Sequence, residues 1–239
     1  MFDNRLFNLF AIAALLLLTA CAPQVAATPN AASVPKTTLA QAEPITLRLA
    51  VADPEGRPSD PYVHEFIEQV TTLSNGNITI QPTWDAGSDT EAGFETGVIQ
   101  LVRKGEYDLG LAGSRAFHKE NITSFQALQT PFLIDNDTLA LAVATSDIAP
   151  RMLESLSPAG IEGLTLGPED LRHPFSVVPG KAILSVQDLK GANVRATPSD
   201  VSYRMIETLG GKPMFGDGEY QAAESGLRQG ASFIFKTSS

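Results

Sequence analysis

Cysteine is almost absent from this chain: Cys21 is the only one in 239 residues. A single thiol forms no internal disulfide, so no covalent staple is available to the fold. Histidine is scarce too. His64, His118 and His173 stand far apart, and neither paired metal-type cysteines nor a His-Glu-x-x-His run is present. His64, beside Glu65 on a helical face, reads as a solvated or capping histidine. The sequence also lacks a Gly-x-Ser-x-Gly elbow, a Walker loop and a Gly-x-Gly-x-x-Gly turn. Its scattered carboxylates and Tyr220 offer no acid and base pair that spacing can define. The expectation is therefore a protein without catalysis, metal or cofactor. Positive charge is in deficit as well, with 17 Lys and Arg against 27 Asp and Glu and a formal net charge of −10. Nucleic acid is not an expected partner, because binding it needs clustered Lys and Arg.

Long apolar runs are missing beyond the first twenty residues. "MFDNRLFNLFAIAALLLLTA" carries Arg5 in a short leader and then an apolar stretch from Leu6 to Ala20. That stretch is shorter than the ~20 residues a bilayer span requires but suits the apolar region of a signal peptide. Residues 1–20 are read as that signal. Leu18-Thr19-Ala20-Cys21 resembles a bacterial lipobox, which implies a lipid on Cys21; the alternative is an ordinary cleaved signal with an incidental cysteine. Residues 21–44 are rich in Ala, Pro and Thr without hydrophobic periodicity and read as a flexible tether.

From Ile45 the pattern changes. "ITLRLAV" alternates Ile45, Leu47, Leu49 and Val51 as a strand, and Val63, Phe66, Ile67, Val70 and Leu73 then recur at helical spacing up to "SNGN". "ITIQPTW" gives a second strand. A helix to about Lys104 and a short strand at Leu109–Leu111 follow, then helices near Asp137–Ala144 and Ile148–Leu156. Strands are predicted near Ile161–Leu166 and Phe175–Val178, and a last strand around Arg195 precedes a helix. Such alternation predicts an α/β fold with mainly parallel sheets.

One residue breaks this apolar pattern. Arg195 lies inside strand-like "GANVRATP", where a buried strand would carry Val or Ile. From the residues alone it is either a solvated edge arginine or a ligand-holding group. "DLKGANVRATPSDVSYRMIETLGGKP" resembles the Asp-Leu-Lys-Gly-x-x-x-Arg segment of the extracytoplasmic solute-binding subunits of tripartite ATP-independent periplasmic (TRAP) transporters, of the dicarboxylate-binding-protein type. "LSNGNITIQPTWDAGSDTEAGFETGVIQLVRKGEYDLGLAGS" is similar to that family's strand, loop and helix, and "LQTPFLIDNDTLA" to its Pro-Phe-Leu segment. The likeness runs from about Ile45 to about Gly230.

The resemblance implies a two-lobed, type II-like periplasmic-binding-protein fold, with residues 45–167 as the first lobe and 168–239 as part of a second, incomplete lobe. It implies that Arg195 forms a two-pronged salt bridge with a ligand carboxylate. A guanidinium suits that task, because its paired donors fit a carboxylate and it stays charged. Arg172 stands near the place of a second cleft arginine, the alternative being a turn pairing with Glu169 or Asp170. Ser114, Trp84 and Asp53, at C-terminal ends of predicted strands, lie where ligands meet open α/β sheets; loop or core roles compete for each. Either Glu224 and Ser225 match the acidic and amide pair of the family's crossover strand, or Gln221 to Gly230 match the helix before it. The implied function is capture of a small organic acid outside the cytoplasm and its delivery to TRAP permease membrane subunits, with the protein held to the membrane by lipid. An exported hydrolase, a sensor-associated module on a similar scaffold, or a non-functional fragment are the alternatives.

Overall fold

The first strand shows how this sequence builds layers. In the computed structural model, which describes residues 43–169, 171–178, 180–215 and 233–237, β1 (Ile45–Val51) lies between β2 (Ile78–Thr83) and β3 (Leu109–Leu111), all parallel. Successive side chains on a strand face opposite ways. Leu49 and Val51 therefore join Val63 and Ile80 in one core cluster, whereas Ala50 and Ala52 join Phe94 and Val98 in another. Helix α1 (Asp60–Leu73) supplies the first face and α2 (Phe94–Arg103) the second, which makes a helix–sheet–helix sandwich. The two alanines leave room for α2 to come close. Gly110 extends that contact, since a Cβ there would stand 2.7 Å from Val102 Cγ2. Burying side chains such as Leu49 and Val51 contributes about 1.5–3 kcal/mol each. Phe66 and Leu73, expected on the apolar face of α1, are 37% and 79% exposed, so that face is narrower than its spacing predicts.

After two short 3-10 segments, Ser114–Glu120 and Ser124–Gln129, come α3 (Asp137–Ala144) and α4 (Ile148–Glu154). The strand predicted at Ile161–Leu166 does not form: the segment alternates in exposure as far as Leu164, but among the described residues no strand pairs with it to complete a ladder. The strand predicted at Phe175–Val178 begins earlier, as β4 (Arg172–Ser176), because its pairing partner runs from Thr237 opposite Arg172 to Phe233 opposite Ser176.

The second sheet has the order β4, β7 (Phe233–Thr237), β5 (Asn193–Ala196), β6 (Lys212–Phe215). β5 is parallel to both neighbours, and β4 is antiparallel to β7. Neither β6 nor β7 is anticipated by the sequence reading, and β4 makes this sheet mixed rather than parallel. Helix α5 (Asp200–Thr208) packs Ile206 against Val194, Ala196 and Leu189. The strand prolines, Pro82 in β2, Pro174 in β4 and Pro213 in β6, all sit on edge strands. A residue without an N–H is tolerated there because the outer side of the ladder needs no donor. Among the described residues no helix is long and apolar enough to cross a membrane. Residues 1–42, with the signal, Cys21 and nearly all of the tether, lie outside the described residues, as do 216–232 with Tyr220, Gln221, Glu224, Ser225 and Gly230.

Candidate functional site

Strand β5 presents its one charged residue against its own core. Val194 and Ala196, 0% and 2% exposed, point to the α5 side. Alternation turns Arg195 to the other face, where it is 1% exposed and among the largest fully buried side chains. An ion taken so far from water costs several kcal/mol unless charge and hydrogen bonds compensate it. This guanidinium is thus not a solvated edge residue.

The chain leaving β5 continues the site. Pro198 restricts Thr197 to extended backbone, and Thr197 and Ser199 are 5% and 1% exposed. Ser199 caps α5 by accepting from the Ser202 N–H at 3.4 Å, and its hydroxyl donates to Gln129 Oε1 at 2.5 Å. Gln129 belongs to the second 3-10 segment, so this bond ties residues 124–129 to the start of α5. Tyr203, one turn into α5, has its phenol pushed up to about 12, first by burial and then by Asp200, with Arg195 opposing. Tyr203 therefore lies within the electrostatic reach of Arg195.

Arg172 is placed differently. Arg195 is level with Ile234 and Phe175 across the sheet. Arg172 stands three residues along β4 from that level, on the alternate face of the pleat. Its Nη2 lies 4.0 Å from Glu169 Oε2, which is the turn pairing weighed against a ligand role. The register does not bring the two arginines side by side.

The other candidates gather at the C-terminal edge of the first sheet. Asp53 follows β1 and accepts from the Ser59 hydroxyl at 2.9 Å. Trp84 follows β2 and packs on the α1-side core, its ring 5.9 Å from that of His64. Ser114 opens the 3-10 segment after β3. Beside Ser114 is a pair that sequence reasoning missed. Glu95, in the first turn of α2, accepts from the Gly113 N–H at 3.0 Å and lies 2.7 Å from Arg115 Nη2. The Glu95 side chain is buried and that of Arg115 nearly so, 8% and 12% exposed. A Cβ on Gly113 would stand 2.1 Å from Glu95 Oε1, so a side chain there would push the carboxylate from its present place. The available signal was that Glu95 is the one charge in "FETGVIQLV". The residue before it, Phe94, holds a left-handed backbone (φ 39°) that an aromatic side chain rarely adopts, kept in place by its buried ring.

Among the described residues no three His, Cys, Asp or Glu side chains gather as metal ligands. His64 pairs with Asp60 at 2.9 Å, and His118 Nδ1 lies 2.8 Å from the Arg115 carbonyl. Arg48 grips Asp108 with Nε and Nη2 at 3.0 and 3.1 Å, which ties β1 to the turn before β3. That grip holds the Asp108 carboxyl down at about 2.

Residues 50–215 match the family model described as bacterial extracellular solute-binding protein, family 7. The fold is similar to that of a TRAP periplasmic solute-binding protein from Sulfitobacter sp. NAS-14.1, solved with bound β-D-galacturonate. The TM-score is 0.68 at 19% identity, over 80% of this chain and 61% of that one. It is also similar to the sugar acid binding protein DctPAm from Advenella mimigardefordensis, solved in complex with galactonate, with a TM-score of 0.69 at 17% identity over 81% of this chain and 60% of that one. A curated relative, the uncharacterized protein y4mM of Sinorhizobium fredii, is 22% identical over 165 residues, 69% of this chain and 29% of its own length. The chain thus spans about three fifths of the solved structures it resembles.

Proposed function

We propose, because this chain belongs to family 7 of the bacterial extracellular solute-binding proteins, that it captures a small organic acid outside the cytoplasm and hands it to the membrane subunits of a TRAP-type permease. The observation that carries this reading is Arg195: a guanidinium 1% exposed at the C-terminal end of a parallel strand, where ligands of open α/β sheets sit. Its paired donors match a carboxylate, and burial strengthens that contact by lowering the local dielectric. Galacturonate and galactonate, bound by similar structures, are the acids to try first. Arg172, Ser114 and Trp84 are proposed as further contacts. An exported hydrolase has no support from the family's description, which is of solute binding. The periplasm is the proposed location, with a lipid on Cys21 as the anchor.

The test is calorimetry of the full chain with galactonate, galacturonate and succinate, repeated with Arg195→Lys. Truncating one side of a buried charge pair costs about 2–5 kcal/mol, so the lysine variant should bind at least roughly thirtyfold more weakly. Equal affinity in the two proteins would remove Arg195 from the site.

A further inference from the structure

Two residues beyond Arg195 stands a polar group that the fold leaves unanswered. Thr197 is 5% exposed, and its hydroxyl is buried and finds no hydrogen-bond partner among the described residues. Buried polar groups are nearly always paired, and one that is not needs an explanation. The neighbouring hydroxyl shows the contrast. Ser199, equally buried, both accepts from the Ser202 N–H and donates to Gln129. A valine at 197 would keep the shape and remove the unmet hydroxyl.

The backbone says which side this hydroxyl serves. Arg195 ends on the face of β5 opposite Val194 and Ala196. Pro198 holds Thr197 extended, so the two-residue alternation carries on past the strand end and sets Thr197 on the same side as Arg195. An ionised carboxylate offers about four lone-pair sites, and a two-pronged guanidinium uses two of them. A hydroxyl beside the guanidinium can donate to one of the remainder, which a second cation would do only at the expense of more buried charge.

We propose that Thr197 is a second ligand contact, its hydroxyl donating to the same carboxylate that Arg195 holds. This rests on the organic-acid reading above. It adds that recognition centres on the carboxylate itself, so the contact serves different acids alike and leaves discrimination among them to other residues.

The experiment measures Thr197→Val and Thr197→Ser in the full chain by calorimetry with galactonate and succinate, and by melting without ligand. The expected result has three parts. Thr197→Val binds both acids about tenfold more weakly, equivalent to ~1.4 kcal/mol. Thr197→Ser binds close to wild type. Without ligand, Thr197→Val melts at the same or a higher temperature, because an unmet buried hydroxyl has been removed. Unchanged affinity for both acids in the valine variant, with wild type binding normally, overturns the contact. A loss confined to galactonate overturns its assignment to the carboxylate. Wild-type protein that binds no acid at all overturns the organic-acid reading, and the contact with it.

Discussion

Removing the Glu95 carboxylate strips two donors at once. Its Oε1 receives the Gly113 N–H at 3.0 Å and faces Arg115 Nη2 at 2.7 Å, with the two side chains 8% and 12% exposed. At that burial, solvent screens the pair little. Losing one partner leaves a buried cation and a buried N–H behind, which costs about 3–5 kcal/mol, several times the ~1 kcal/mol of an average substitution. Glu95→Ala should therefore lower the urea midpoint by about 1–3 M, taking ~3 kcal/mol and a slope of ~1–3 kcal/mol per M. In a domain of this size each kcal/mol moves Tm by about 2–4 °C, so the melt should fall by roughly 6–12 °C. Arg115→Met should cost less, since the carboxylate keeps the Gly113 N–H. The double variant should then recover part of the loss, with a coupling of at least ~1 kcal/mol. If Glu95→Ala shifts stability by less than ~1 kcal/mol, or if the two substitutions simply add, the pair is not the strut described here.

Three further outcomes are expected. The Tyr203 phenol titrates near 12 in the fold against ~10 when unfolded; its contribution to stability is present below pH ~10 and disappears as the pH rises through ~12, so Tyr203→Phe should flatten the alkaline fall of Tm between those values, and equal slopes would contradict this. Ser199→Ala deletes a helix cap and the bond to Gln129 and should cost about 1–2 kcal/mol, a loss that should shrink in a Gln129→Ala background; an undiminished loss would mean that the bond does not link the two segments. If Cys21 carries the proposed lipid, Cys21→Ser should shift the protein from the membrane to the soluble fraction, because the anchor would be lost with the thiol; retention on the membrane would refute the lipobox reading.

Much of the first sheet was legible because its information is local. β1 alternates within its own seven residues, and α1, β2, α2 and β3 follow within reach of turn signals at Asn75-Gly76 and Gly105. The second sheet was less so. Ile161–Leu166 has strand-like alternation but pairs with no strand among the described residues, whereas "KPMF" and "FIFKT" become strands because β5 and β4 lie beside them. Pairing is a property of two segments, and a reading along one chain sees each alone. Arg195 was visible as the wrong residue type for a buried strand, and the structure adds its near-complete burial. The Glu95–Arg115 pair was not visible, since it exists only where the start of α2 meets the turn after β3.

The place of β7 also governs the order of events in folding. It is the latest described strand in the chain yet lies between β4 and β5 in the sheet and pairs with both. The first sheet can close once Leu111 has been made, from strands near in sequence. In the second, β5, α5 and β6 can associate early, but among the described residues the strand that pairs with β4 is β7, at 233–237. Arg195 pairs with Ile234, so the strand that carries the buried guanidinium meets β6 first and gains its β7 partner later. Distant pairings form slowly, and in pulse-labelled exchange the amides of β1 should gain protection before those of β4.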